Sequence, residues 1–380
     1  MNILYITEDH SHNNYGITSA LSQLVDELVR DDNIRVVIAV TGEPSDTQNK
    51  NVKIEFIHPV RWASKWRWSP GLLNRLDELV AQYEIDIIHI HGVWLAGTWA
   101  GLKIARKSGT PAILSVHGVL EQWFMKDDHL LRVYKKKIYL AIVLRPLISR
   151  DTIIHVITSK EEANIRHFFS HNKTILIPNA IQIKQIPSIG TPPDKMLLFL
   201  GRLHPIKGIE LLLYACAKMN FEDGWHVVIA GPEEDISYSK MLKKEVVRLG
   251  LSQRVKFIGP VFGDAKWDLI GKAWVMIVPS FSEVIGMINL EAAVCKVPTI
   301  TTFETGLSDW EDGGGVLVHP SVDEVTSALK KTLSWTVEER LERGERSYQL
   351  VKEKYSGNMI IGRWRNLYKK LVGSFEINDE

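Results

Sequence analysis

Gly201-Arg-Leu-His-Pro-Ile-Lys-Gly208 places two cations, Arg202 and Lys207, in one turn between a strand-like run and a helical one. A helix N-terminus offers free amides and the positive end of a dipole, so a turn of this kind suits an anion. Arg202 can fork onto phosphate oxygens, Lys207 can add a point charge, and Pro205 stiffens the turn that aims them. Alone, the octet serves equally well as an exposed basic turn closed by a capping glycine.

Glu283 and Glu291 flank a stretch that includes Gly286, Met287 and Ile288. Gly286 would let the chain run close to a ligand as a helix begins, and free amides at 286–288 would receive phosphate oxygens. On a helix, residues with this spacing differ by about 80° and lie more than two turns apart, so the two carboxylates are expected to serve different groups. Carboxylates accept well from vicinal hydroxyls. The pattern predicts sugar at one end, ribose at the other and phosphate between. Without the rest of the chain, each glutamate reads equally well as a surface residue.

Histidine supplies a third group of candidates. His117 closes the run 112–116 and precedes Gly118, a strand-end position suited to a site residue. His89 and His91 alternate on another strand and are expected on opposite faces, with His91, beside Gly92, the better candidate or else a structural histidine. His204 reads as a turn residue and Asn179 as a turn former. Cys216 and Cys295 lack metal-type spacing, so neither a disulfide nor a metal site is expected.

The elements that must position these residues are short β-branched runs alternating with helical periods, as at 2–7, 17–30, 35–40, 71–83 and 86–90. Such alternation means βαβ units and a parallel sheet. It pauses over the proline-rich stretch 181–194 and resumes at 196–200, which predicts two doubly wound α/β domains. The expected boundaries are an N-terminal domain 1–180, a linker 181–194, a C-terminal domain 195–355 and a terminal helix 356–380 packing back on the N-terminal domain. Neither half holds a Gly-x-Gly-x-x-Gly fingerprint, which removes the main support for a dehydrogenase. Nearly all the candidate residues follow strands, where parallel sheets bind their ligands.

In this order the motifs resemble a known family. A strand, Gly-Arg-x-x-Pro-x-Lys-Gly, a helix, then Pro279-Ser-Phe-Ser-Glu283 and Glu291-Ala-Ala resemble the retaining glycosyltransferases of family four, the group 1 glycosyltransferases. His117, Ile177-Pro-Asn179 and Trp364-Arg-Asn-Leu-Tyr368 extend the resemblance over nearly the whole chain. It implies the GT-B architecture, two facing Rossmann-like domains with the active site in the interdomain cleft. It also implies that Arg202 and Lys207 bind the donor diphosphate, Glu291 the ribose hydroxyls and Glu283 hydroxyls of the transferred hexose. Gly286, Met287 and Ile288 would complete the donor set, His117 would lie by the donor sugar and reacting phosphate, and Gly16 would let its loop approach that phosphate. No metal or other cofactor is implied, and no protein base. The sequence departs from the family pattern at Asn14-Tyr15-Gly16, where adjacent glycines are common, at Val284-Ile285 in place of Gly-Phe, and at Asn179-Ala180 in place of Asn-Gly. The donor sugar is therefore not transferable. Two other readings are a nucleotide-sugar 2-epimerase, which would form product with no acceptor present, and a noncatalytic nucleotide-sugar binder.

Partners follow from charge and aromatic pattern. With 46 basic and 45 acidic residues the net charge is +1, which lacks the footprint of a nucleic-acid binder. Arg61-Trp62-Ala-Ser-Lys65-Trp66-Arg67-Trp68 interleaves cations and indoles, so Trp66 and Trp68, with Tyr15, are acceptor or membrane candidates. Lys135, Lys136 and Lys137 before the apolar run 138–148 offer a second contact for anionic lipid, or a solvated helix face. The expected partners are a nucleotide-diphosphate sugar (UDP- or GDP-linked) and a glycan acceptor, lipid-linked if the membrane contact holds. The chain opens without signal-peptide features, so the cytoplasm is the expected location, at the inner face of the plasma membrane if lipid is bound.

Overall fold

The computed structural model describes residues 1–7, 17–41, 50–118, 120, 130–183, 194–219 and 224–376. Gly16 and Tyr15 lie outside these, as does most of the expected linker. The chain divides into two units, Met1–Ala180 with Gly357–Glu380, and Ile181–Ser356.

The first unit is built from β1 (Asn2–Thr7), α1 (Ile17–Leu28), β2 (Arg35–Val40), β3 (Val52–Phe56), α2 (Leu72–Gln82), β4 (Ile87–His91), α3 (Ala96–Ser108), β5 (Ala112–Ser115), α4 (Leu130–Ile138), β6 (Ile153–Val156), α5 (Ser159–Ile165) and β7 (Thr174–Leu176). Its sheet is parallel and ordered β3-β2-β1-β4-β5-β6-β7. Strands such as Ile87-Ile-His-Ile-His91 are buried throughout because helices cover both faces, which is why they read as continuous runs.

The second unit repeats the plan with β8 (Met196–Leu200), α6 (Ile209–Ala217), β9 (His226–Ala230), α7 (Ile236–Arg248), β10 (Val255–Gly259), α8 (Gly263–Lys272), β11 (Val275–Val278), α9 (Met287–Val294), β12 (Thr299–Thr302), β13 (Val316–Val318), α10 (Val322–Leu333) and α11 (Val337–Lys354). Its sheet, again parallel, runs β10-β9-β8-β11-β12-β13. Ile181 bridges to Ser356 and donates from its amide to Tyr355 O at 2.8 Å, so the unit's two ends lie side by side.

The last helix, α12 (Gly357–Glu376), belongs to the first unit and packs on α1 and β4. Ile360, Ile361, Trp364, Leu367 and Tyr368 bury its inner face in the same core as Ile3, Tyr5 and Leu28. A buried polar chain fastens it there. Ile177 O only accepts, so His155 donates to it from Nε2 at 2.8 Å and, as a neutral ring, accepts at Nδ1 from Ser115 Oγ at 2.7 Å. Ser115 Oγ must then accept from His89 Nε2 at 2.7 Å, which leaves His89 Nδ1 to accept from the Tyr368 hydroxyl at 2.9 Å. Tyr5 completes the series by donating to Tyr368 at 2.6 Å. One carbonyl thus fixes every proton in the chain.

Charge would break this series. Burial holds His89 well below the ordinary imidazole range and pulls His155 down to about 4. Both rings take a proton in the unfolded chain near pH 6.5 but not in the folded one, so stability is complete above that pH and falls as pH drops toward about 4. His155 contributes about 1.4 kcal/mol per pH unit within that window, and His89 acts in the same direction. Urea unfolding is expected to show lower stability at about pH 5 than at about pH 7.5, with His155 still mostly neutral by ¹⁵N NMR. Equal stability at the two pH values would contradict this account.

Candidate functional site

In the second unit, the strand order reverses between β8 and β11, and the loops leaving the carboxyl ends of those two strands diverge there. Parallel sheets bind ligands at such a crevice. The loop after β8 is Gly201–Gly208 and the loop after β11 begins at Pro279, so the two motifs fall on the two sides of the reversal. They are tied directly: Phe281 N donates to Ile206 O at 2.8 Å. Gly208 sits at φ +62°, and a Cβ there would stand 2.3 Å from Pro279 O, so glycine is required for the loops to meet. Gly231, at φ +149°, is pressed as closely on Gly201, where a Cβ would stand 1.7 Å from the carbonyl oxygen.

His204 caps the single turn Pro205–Lys207, accepting from Ile206 N through Nδ1 at 3.2 Å, which confirms its turn role and aims Lys207. Lys207 Nζ lies 3.1 Å from Glu283 Oε2, with both side chains mostly buried, and Ser280 Oγ donates to the other Glu283 oxygen at 2.5 Å. Arg202 reaches both oxygens of Glu234 through Nη1, at 2.6 and 2.8 Å. Glu291 accepts from Lys266 of α8 at 2.6 Å. Each candidate charge therefore has a partner of opposite sign and keeps capacity to spare. An ammonium has three donors and a guanidinium five, so Lys207 and Arg202 retain donors for phosphate oxygens, and each carboxylate retains lone pairs for hydroxyls.

Two expectations about the helix start need correction. Glu283 lies in the loop before Gly286, the N-cap of α9, so the helical angle between Glu283 and Glu291 has no meaning; their separation comes from the loop. The amides at 286–288 are also not all free. Gly286 N donates to Thr305 O at 3.0 Å and Met287 N to Ile285 O at 2.9 Å, which leaves Ile288 and the dipole of α9 to meet an anion. The glycine itself is needed for packing, because a Cβ at Gly286 would stand 2.5 Å from Asn289 Nδ2. Asn289 in turn donates to Thr301 Oγ1 at 3.1 Å, and Thr305 Oγ1 donates to Thr302 O at 2.7 Å, a buried scaffold beneath the site.

In the first unit the order reverses between β1 and β4, and His91 ends β4 while His117 follows the neighbouring strand β5. Contrary to expectation, His89 and His91 share a face. Residues two apart on a strand point the same way, and the two rings stack with centroids 4.3 Å apart. His91 Nδ1 lies 2.8 Å from His117 Nε2. His117 has φ +49°, a strained value for a residue with a Cβ, and the turn is held by the buried Glu161 carboxylate, which accepts from Gly118 N and from Ile157 N at 2.7 Å. Desolvation, then the nearby His155, pulls His117 down to about 3, so it is uncharged near neutral pH. His91, His117, His155 and Asn179 line one small cavity with Trp364.

The tryptophan segment divides differently from the expectation. Trp68 packs against the first unit's core, Trp66 faces Trp99 at 6.3 Å, and the most exposed indole of the segment is Trp62, 81% accessible.

Several partners escaped the sequence reading. Glu234 follows the Gly231-Pro232 turn after β9, a strand-end position that could have pointed to it, and Ser280 lies inside the quoted Pro279–Glu283 motif. Thr158-Ser-Lys-Glu161 carries a legible capping pattern, with Glu161 N donating to Thr158 Oγ1 at 3.1 Å, but nothing local shows Glu161 reaching Gly118. Lys266 had no signal at all. Among the described residues no group of His, Cys, Asp and Glu is placed to hold a metal ion, and no helix is long and apolar enough to cross a membrane.

The model for glycosyl transferases group 1 matches residues 181–350, and that for glycosyltransferase family 4 matches residues 15–185. An uncharacterized glycosyltransferase of Methanocaldococcus jannaschii is 26% identical over 376 residues, covering 93% of this chain and 94% of its own. Sucrose-phosphate synthase from Thermosynechococcus elongatus superposes with a TM-score of 0.77 at 18% identity, covering 98% of this chain and 99% of that one. Anabaena HepE in complex with UDP and glucose superposes at 0.72 and 17% identity, covering 97% and 100%. With both sheets ordered and loaded as described, and with the two family models together spanning residues 15–350, the chain belongs to the group 1 glycosyltransferases and has the GT-B fold.

Proposed function

We propose that this chain is a retaining hexosyltransferase that moves a sugar from a UDP- or GDP-sugar to a hydroxyl of a glycan acceptor, in surface polysaccharide or lipopolysaccharide assembly. The observation that carries the reading is the meeting of Lys207 and Glu283 at the strand-order reversal of the second unit, with Arg202 on the same loop. Phosphate takes the free donors of Arg202 and Lys207 and the N-terminus of α9, with Gly286, Met287 and Ile288 shaping its approach. Glu291 holds the ribose hydroxyls and Glu283 those of the hexose. The Anabaena neighbour, whose structure contains UDP and glucose, supports a nucleotide-sugar donor.

In the reaction the bond from the anomeric carbon to the leaving phosphate breaks, and the bond to the acceptor oxygen forms on the same face. The acceptor proton passes to the leaving phosphate, so no protein base is assigned. Arg202 and Lys207 stabilise the negative charge that develops on the nucleoside diphosphate and do so without a metal. By the family resemblance, His117 is assigned a place near the donor sugar and the reacting phosphate.

An exposed apolar stripe on the first unit supports reading the acceptor as lipid-linked. Tyr134, Ile138 and Ile142 are 63%, 54% and 69% exposed at four-residue spacing, and Lys135, Lys137 and Arg145 lie exposed beside them. An apolar stripe flanked by cations suits anionic lipid.

A thermal-shift panel of UDP, GDP, ADP and their sugars is expected to show one clear preference, since a ligand at a hundred times its dissociation constant stabilises by about 2.7 kcal/mol. Glu291→Ala is expected to weaken that binding by about 1–3 kcal/mol. No shift with any nucleotide, or unchanged binding by the variant, would overturn the donor assignment. Replacing Ile138 and Ile142 together by Glu is expected to abolish co-sedimentation with anionic vesicles; full retention would remove the membrane role of this stripe.

A further inference from the structure

The pair His91–His117 has a property that neither residue shows alone. Their facing nitrogens, Nδ1 of His91 and Nε2 of His117, are 2.8 Å apart, so one hydrogen lies between them and one ring must donate while the other accepts. Both rings are neutral in this setting, since burial moves each well below the ordinary imidazole range. Each ring therefore carries one proton, and the direction of the shared bond decides where the second nitrogen of each stands.

His91 is 5% exposed, and its other nitrogen, Nε2, is fully buried with no hydrogen-bond partner among the described residues. If His117 donated, His91 would carry its proton on Nε2 as a buried, unbonded N–H, which native structures rarely tolerate. If His91 donates from Nδ1, Nε2 keeps only a bare lone pair. The second arrangement is the favoured one, and it places the His117 proton on Nδ1. That atom has no partner among the described residues, and His117 is only half-buried, so its N–H is available to a ligand. The turn holds the ring in place against its own backbone preference, with φ at +49° and Glu161 gripping the next amide.

We infer that His91 is a positioning residue that fixes the tautomer of His117, so that His117 meets the substrate as a neutral hydrogen-bond donor through Nδ1 and not as a base. The inference deepens the proposed function and rests on its placement of His117 at the reacting group. A neutral donor suits an oxygen that gains negative charge as the phosphate leaves, and it gives His117 a task that needs no titration near neutral pH.

The test is ¹⁵N NMR of the full chain labelled at histidine, with His117 assigned by comparison with His117→Ala. The expected spectrum has His117 protonated on Nδ1 and bare at Nε2; protonation on Nε2 overturns the inference. His91→Phe keeps a ring against His89 but removes the donor. It is expected to mix the two His117 tautomers and lower kcat about tenfold or more, the scale of losing a partner that orients an imidazole, with donor KM changed by less than about threefold. His91→Asn, which returns an N–H near the same place, is expected to restore most of the rate. A single unchanged tautomer and an unchanged rate in His91→Phe would overturn the positioning role. If that variant fails to fold, the spectrum of the unaltered protein still decides. Full transfer activity in His117→Ala would instead sink the placement of His117 in the reaction, whatever the tautomer result.

Discussion

Everything proposed for the donor depends on the reversal of strand order between β8 and β11. Neighbouring parallel strands send their following loops to opposite sides only at such a point, and the opening left there is the natural place for a ligand. The second unit places the cations of one loop and the carboxylate of the other at that opening. Gly208 and Gly231 make the arrangement possible by removing side chains where backbone passes against backbone. The resulting site is neutralised internally by Glu283, Glu234 and Lys266, which keeps the partly buried charges paired before a ligand arrives.

The first unit solves a different problem. Its central strands carry histidines, tyrosine and serine inside an otherwise apolar core, and buried polar groups must be satisfied. The series from Tyr5 to Ile177 O does this with one fixed direction, and Tyr368, near the end of the chain, is an indispensable member. The last helix thus completes the hydrogen bonding of the first sheet. His91 stands outside that series, and its Nε2, without a partner among the described residues, is what orients the bond to His117.

The fold class, the two-domain plan and the two loop motifs after β8 and β11 were legible because they depend on local signals: runs of apolar residues, a basic turn, and carboxylates on either side of a helix start. Partnerships across the sheet were not. Nothing near Lys266 or Glu161 announces the residue each one reaches, since those distances are set by how helices pack on strands. Gly286 does stand where a helix begins, but its lack of a side chain makes room for Asn289 and its amide is already used by Thr305. The histidine strand shows an error of period. An interval of two residues returns to the same face, and that shared face is what builds the stack of His89 and His91.

The central claim is that the second unit's strand reversal holds a nucleoside diphosphate. Hydrogen exchange of the whole chain with saturating nucleoside diphosphate tests it most directly. The account predicts slowed exchange concentrated in the Gly201–Gly208 loop, the segment 279–286 and the first turn of α9. Bound nucleotide with protection confined to other segments would contradict it.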